Sequence, residues 1–177
     1  MIERISKIKV GPALEQGVDV GPVVSQAQLE QDLRYIEIGK QEGAHLACGG
    51  EQVTCGTDGY FLAPTLFAAK PSDRIAREEI FGPVAALLRA DDYEQALALA
   101  NDTEFGLCAG ICTTSLKHAT HFKRHAQAGM VMVNLPTAGV DPHVPFGGRK
   151  ASSYGPREQG RYAVEFYTTV KTAYTAA

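Results

Sequence analysis

Apolar positions along the 177-residue chain recur in two alternating rhythms, and the elements they predict take turns. Residues 1–8 place Ile2 and Ile5 on one side of a helix with no N-cap ahead of it, as the tail of a longer helix would. Gly11-Pro12 and Gly21-Pro22 punctuate a loop. Ser25 then opens a helix with Leu29, Leu33 and Ile36 at i, i+4 and i+7, and Gly43 stops it. Strands are predicted over 44–48 and 60–68, the second rich in aromatic and aliphatic side chains, with glycine-bracketed loops between them. Ser72 is the expected cap of a short helix running to Glu79, and residues 83–88 read as a buried strand without polar alternation.

From Asp92 a helix with Ala96, Leu97 and Ala100 inward is expected to end near Asn101. A strand over 105–113 follows, then a helix from Ser115 to Ala128 closed by Gly129, then a strand over 130–134. Residues 135–149 form a Pro/Gly-rich loop, Pro156 seeds one last short helix, and 167–174 alternates Val, Thr and Tyr as a terminal strand. Helix and strand in alternation predict an α/β fold on a mostly parallel open sheet with flanking helices.

Composition narrows the class. Hydrophobic residues make up 45% and charged ones 21%, scattered rather than in runs, as in an ordinary globular enzyme of one domain. A net charge of -3 offers no footprint for nucleic acid. The first residues lack an apolar signal-peptide core, and no run approaches the roughly 20 apolar residues of a membrane span, so neither secretion nor membrane insertion is expected. Four cysteines without secretory context read as reduced thiols, which fits the cytoplasm.

Candidate chemistry from spacing alone is thin. His118, His121 and His125 share one side of a helix, a possible metal face, yet Leu116, Ala119, Phe122 and Ala126 define its expected buried stripe and no carboxylate or thiol completes a ligand set. Cys108 and Cys112 fall on one face of a predicted strand but have no His or Lys beside them to favour a thiolate, and Cys48 and Cys55 have no ligand spacing. Gly147-Gly148 precedes Arg149-Lys150, but neither a GxGxxG nor a GxxxxGK[ST] string occurs.

One string is specific. EEIFGPV at 78–84 resembles the signature of the aldehyde dehydrogenase catalytic domain. It has company in family order: VGP at 10–12, VGPV at 20–23, NDTEFG at 101–106, Val133-Asn134, PFGGRK at 145–150, REQG at 157–160 and the segment 167–171. The resemblance covers essentially the whole chain. It implies the C-terminal part of that catalytic domain over 1–165, with an oligomerisation strand and tail over 166–177. It also implies a nicotinamide cofactor, NAD or NADP, in the complete enzyme.

By the same resemblance, Glu79 holds the hydroxyls of the nicotinamide ribose, for which a carboxylate accepting two O–H bonds is suited. Phe81 packs on the nicotinamide ring. Gln28 aligns with a glutamine that reaches the cofactor ribose in some relatives, while Ser25-x-x-Gln28 also reads as a capping box. Phe146 corresponds to an aromatic lining the substrate tunnel and 135–144 to a loop that helps set aldehyde specificity. Residues 135–160 resemble the branch of the family acting on α-ketoglutaric semialdehyde, with SYGPRE where SGxGRE is usual. His143 or Arg149 could meet the remote carboxylate of such a substrate.

In the family a cysteine thiolate attacks the aldehyde, hydride passes to the nicotinamide, and a glutamate-activated water releases the acid. Both residues, and the N-terminal NAD(P)-binding domain, lie ahead of the matching region, so this chain alone is expected neither to catalyse nor to bind the cofactor stably. Homo-oligomerisation through the last strand is expected. Two alternatives stand beside this: a non-catalytic assembly module associating with dehydrogenase subunits, and a metal- or thiol-dependent protein using His118, His121 and the cysteines.

Overall fold

Leu29, Asp32, Ile36 and Gly39 form the buried face of α2 (Gln26–Gln41), a helix that follows a short α1 (Ile2–Ile5). The i, i+3, i+7, i+10 spacing keeps one stripe inward over almost three turns, and the Ser25 hydroxyl caps the helix by accepting from the Gln28 N–H at 3.2 Å. In the computed structural model, which describes residues 1–139 and 141–176, the chain divides into two compact units, 1–89 and 90–177. Val140, in the expected specificity loop, and Ala177, at the end of the tail, lie outside the described residues.

In the first unit β2 (Thr65–Ala68) is central. It pairs antiparallel with β1 (His45–Cys48), Leu46 opposite Phe67, and parallel with β3 (Val84–Leu87), Thr65 opposite Val84. Phe67, fully buried, packs with Ile36, Leu62, Ile75 and Ile80 under α2. Gly39 permits the close approach, since a Cβ there would lie 3.0 Å from Ile75 and 3.3 Å from Phe67. The strand expected over 60–68 is shorter because Pro64 has no N–H to give a ladder; Leu62 makes only an isolated bridge with Gln52. The helix expected from Ser72 to Glu79 is instead α3 (Arg74–Arg77), with Asp73 at its N-cap and its carboxylate turned back onto the Lys70 N–H. Glu78 is already extended, so the segment from Glu78 onward leaves the helix. Of residues 1–8 only α1 is helical, and it buries nothing.

In the second unit β4 (Cys108–Ile111) and β5 (Met130–Val133) pair in parallel, Cys108 opposite Met130. Together with the parallel β2 and β3 this is the α/β alternation expected, carried by one three-stranded and one two-stranded sheet. The strand expected from 105 is shortened because the Gly106 N–H is taken by the Ser152 hydroxyl, while its carbonyl accepts from the Gly129 and Arg149 N–H groups. α4 (Tyr93–Asn101) and α5 (Leu116–His125) begin at caps Asp92 and Ser115, each of which accepts from the backbone three residues on. Three inward assignments are corrected. Ala96 and Ala100 of α4 are exposed, and Leu116, in the first turn of α5, is 84% exposed while Phe122 and Ala126 are buried. Asn101 staples α5, donating to the His125 carbonyl and accepting from the Gln127 N–H; Asn134 bonds both backbone groups of Thr113.

Pro156 starts no helix. A 3-10 turn at Gly160–Tyr162 leads into α6 (Ala163–Tyr167), which ends where the terminal strand was expected. Residues 168–176 have no ladder partner among the described residues, and Val170 and Tyr174 are almost fully exposed. Alternation alone does not make a strand; its N–H and C=O groups need an edge to pair with. Among the described residues no helix is long and apolar enough to cross a membrane.

Candidate cofactor-facing loop

Between α3 and β3 the backbone turns alternate residues in and out. Glu78 points back to the unit, Glu79 is exposed, Ile80 is buried at 7% exposure, Phe81 is 76% exposed, and Gly82 packs inward. Phe81 has a φ of 66°, in the left-handed region that a bulky side chain adopts only when its surroundings impose it.

Three sets of contacts impose it. Glu78 accepts from the Tyr35 hydroxyl at 2.6 Å and, through both oxygens, from Arg74 at 2.8 and 2.9 Å. The Ile80 carbonyl accepts from Gln28 Nε2 at 2.9 Å and Gln31 Nε2 at 3.0 Å. Gly82 lies against the carboxyl of Asp32, so closely that a Cβ would sit 2.2 Å from Oδ2. Glu79 and Phe81, both singled out by sequence, are thus presented outward by neighbours of which only Gln28 was. Gln28 is placed behind the loop: its amide donates to Asp32 Oδ1 and the Ile80 carbonyl rather than back to Ser25, so only the Ser25 half of the expected capping box forms.

The charges here respond to acid. Hydrogen bonds from Arg74, then from Tyr35, hold the Glu78 carboxyl down to about 2, and the Glu78 bond in turn raises the Tyr35 hydroxyl. A carboxyl lowered on folding adds stability above its ordinary value of 4.5, and that contribution is lost as pH falls through about 2. Asp32 runs the other way: desolvation, against the Gln28 bond, raises it, so its share favours the fold below 3.8 and is lost as pH rises through the raised value. Thermal melts between about pH 5 and pH 2 are expected to fall less steeply for Glu78→Gln than for the parent chain. Equal slopes would remove Glu78 as a source of acid sensitivity.

In the second unit, Phe146 is half-buried and bridges backbone to backbone with Glu158, both bonds below 3.0 Å. It lines a cavity of about 290 Å³ with Gly147, Gly148, Ser153, Tyr154 and Arg157. His143 and Arg149 are exposed and do not line it. Lys150 is tied down instead, donating to the carbonyls of Asn101 and Thr103. The histidine face of α5 is an aromatic stack: His118 lies on Tyr93 at 4.2 Å, His121 on His125 at 3.8 Å, and the Tyr93 hydroxyl meets His121 Nδ1 at 2.8 Å. Among the described residues no group of three His, Cys, Asp or Glu side chains could hold a metal ion. Burial raises the Cys108 thiol, which disfavours the thiolate.

Sequence reasoning passed over Glu78, Asp32 and Gln31. Glu78 stood inside the signature but without a role. Asp32 carried a readable signal, a charge in the stripe between Leu29 and Ile36 where an apolar residue belongs.

Comparison with known proteins places these observations. The model of the aldehyde dehydrogenase family matches residues 1–173. The α-ketoglutaric semialdehyde dehydrogenase of Bacillus subtilis is 44% identical over 98% of this chain and 36% of its own length. The 2,5-dioxopentanoate dehydrogenase of Saccharolobus solfataricus is 43% identical over the same shares. A crystal structure of a Mycobacterium tuberculosis aldehyde dehydrogenase complexed with NAD+ superposes with a TM-score of 0.87 at 36% identity, covering 99% of this chain and 37% of that one. The chain therefore spans about a third of the length of the curated relatives it matches.

Proposed function

The chain belongs to the aldehyde dehydrogenase family, and from that premise we propose that it forms part of a cytoplasmic NAD(P)-dependent enzyme oxidising α-ketoglutaric semialdehyde to the dicarboxylate. The observation that carries the cofactor side is the pair Glu79 and Phe81, both exposed on a loop whose neighbouring residues Glu78 and Ile80 are anchored. They fit the nicotinamide end of the cofactor: the carboxylate accepts the two ribose hydroxyls, and the ring offers an apolar face to the nicotinamide. Bound there, the nicotinamide supplies the hydride acceptor. Gln28 serves this site from behind the loop, its two amide protons being committed to Asp32 and Ile80.

The substrate side rests on the second unit. Phe146 gives an apolar wall to its cavity, and Arg149 and His143, exposed outside it, are the candidate partners for a remote carboxylate. The names of the Bacillus and Saccharolobus relatives support the semialdehyde. None of Cys48, Cys55, Cys108 and Cys112 stands in a motif like the family's nucleophile, and burial raises the Cys108 thiol, so the 177 residues by themselves are expected to turn over no aldehyde. The exposed, unpaired segment 168–176 joins subunits by adding a strand to a partner edge.

One hybrid tests the reading: the Bacillus relative with its matching third replaced by this chain. It is expected to reduce NAD or NADP with α-ketoglutaric semialdehyde in preference to betaine aldehyde, the cationic substrate in the names of other relatives. Glu79→Gln should raise the KM for the cofactor about 10- to 100-fold, the worth of charge-assisted hydrogen bonds, without altering the KM for aldehyde. The hybrid should elute as an oligomer that dissociates when 168–177 is removed. Reduction of the cofactor by the 177-residue chain alone would contradict the assignment of catalysis. An unchanged cofactor KM in Glu79→Gln, a preference for betaine aldehyde or an oligomer indifferent to the tail would each remove the corresponding part.

A further inference from the structure

Asp32 is fully buried in α2, between Leu29 and Ile36, where leucine or isoleucine would fill the same space without desolvating a carboxyl. One oxygen, Oδ1, accepts from Gln28 Nε2 at 2.7 Å; the other has no hydrogen-bond partner. Such a group is costly to keep, and its connections indicate what it is kept for. The Gln28 amide nitrogen that reaches Asp32 also reaches the Ile80 carbonyl, so both of its protons are used and the amide has one orientation. Gln31 fills the second acceptor position on that carbonyl. The unpartnered oxygen faces Gly82 at a distance that leaves no room for a Cβ.

We infer that Asp32 is a positioning residue, whose buried carboxyl orients Gln28 and seats Gly82 so that the loop between them keeps Glu79 and Phe81 turned outward. The inference rests on the reading that these two residues face the nicotinamide end of the cofactor. Ile80 is gripped from one side and Gly82 from the other, so Phe81 between them has its backbone fixed at both ends. That is how a phenylalanine stays at a φ of 66° while three-quarters exposed. The role differs from general core stability, because removing the acceptor frees one loop rather than the sheet behind it.

Backbone 15N relaxation on the 177-residue chain tests this directly. In the parent, amides of residues 79–82 should show order parameters near the rigid value of about 0.85. Asp32→Leu keeps the volume and removes the acceptor; those amides should fall below about 0.6 while Leu66 and Phe67 in β2 are unchanged. Asp32→Asn keeps Oδ1 and should restore the loop. Gly82→Ala places a methyl against Oδ2 and should loosen the loop likewise, whereas adding the same methyl to Asp32→Ala should change nothing further. The Gly82 pair decides the matter if Asp32→Leu does not fold. A rigid loop in Asp32→Leu, loosening spread evenly over 1–89, or a harmless Gly82→Ala beside an intact Asp32 overturns the inference. In the hybrid enzyme, Asp32→Leu should raise the cofactor KM and leave the aldehyde KM alone; an unchanged cofactor KM there rejects the positioning role. Phe81→Ala with an unchanged cofactor KM rejects instead the reading of the site, whatever the relaxation data show of the clamp.

Discussion

Phe67→Ala is expected to lower the stability of the first unit by about 3–5 kcal/mol, the loss typical of a large aromatic removed from a core that cannot collapse around the void. Phe67 is fully buried at the centre of β2, the strand with a partner on either side. Its ring lies within contact distance of α2 at Gly39, and Ile75 reaches the same glycine from α3. Strands with fixed register and a helix anchored at a glycine leave little room for inward relaxation, which puts the cost toward the upper part of that range. Urea unfolding of the chain, followed by a probe in residues 1–89, measures it. A change below about 1 kcal/mol would mean that the unit collapses around the void and that Phe67 is not the keystone described.

The second unit has its counterpart at Gly129→Ala. A Cβ there would fall 2.0 Å from the Gly147 carbonyl, 2.5 Å from Arg157 Nη1 and 2.7 Å from the Gly148 Cα. Two of these are backbone atoms and cannot swing away. The Gly129 N–H is also bonded to the Gly106 carbonyl at 2.8 Å, which accepts in addition from the Arg149 N–H, so backing away breaks the junction where β4 and β5 begin. The expected loss is about 3 kcal/mol, the upper end for forced overpacking. It should be accompanied by a changed environment for Phe146, whose cavity includes Gly147 and Gly148. Calorimetry reads the first, and the ring chemical shifts of 13C-labelled Phe146 read the second. A melt within about 0.5 kcal/mol of the parent, the scatter of neutral surface changes, would show that the junction has slack.

What was legible in the sequence divides by range. The starts of α2, α4 and α5 were readable because Ser25, Asp92 and Ser115 act on a backbone N–H three residues away. Strand lengths were not, because they are set by competitors far along the chain: Ser152 takes the Gly106 N–H from 46 residues away. The terminal segment forms no ladder within the single chain for a different reason, since its alternation of Val, Thr and Tyr states a preference that only an edge can realise. At the site, Glu79 and Phe81 were named through the signature string, but what holds them was hidden. Tyr35 and Glu78 are 43 residues apart and Gln28 and Ile80 are 52 apart, pairings that no local window contains. His143 and Arg149 were readable only as charges of the right sign, and their exposure outside the Phe146 cavity leaves their role to the hybrid enzyme.

The left-handed backbone at position 81 carries a lesson for anyone altering this surface. Ring chemistry and loop mechanics are there fused in one residue, so most substitutions are two experiments at once. Tyrosine or tryptophan changes the face offered to solvent while leaving the φ preference nearly as it was. Isoleucine or valine removes the ring and also resists the backbone conformation, so a lost activity would have two causes. Glycine removes the ring and welcomes that conformation. Comparing glycine with alanine at this one site therefore separates the contribution of the ring from that of the bend beneath it.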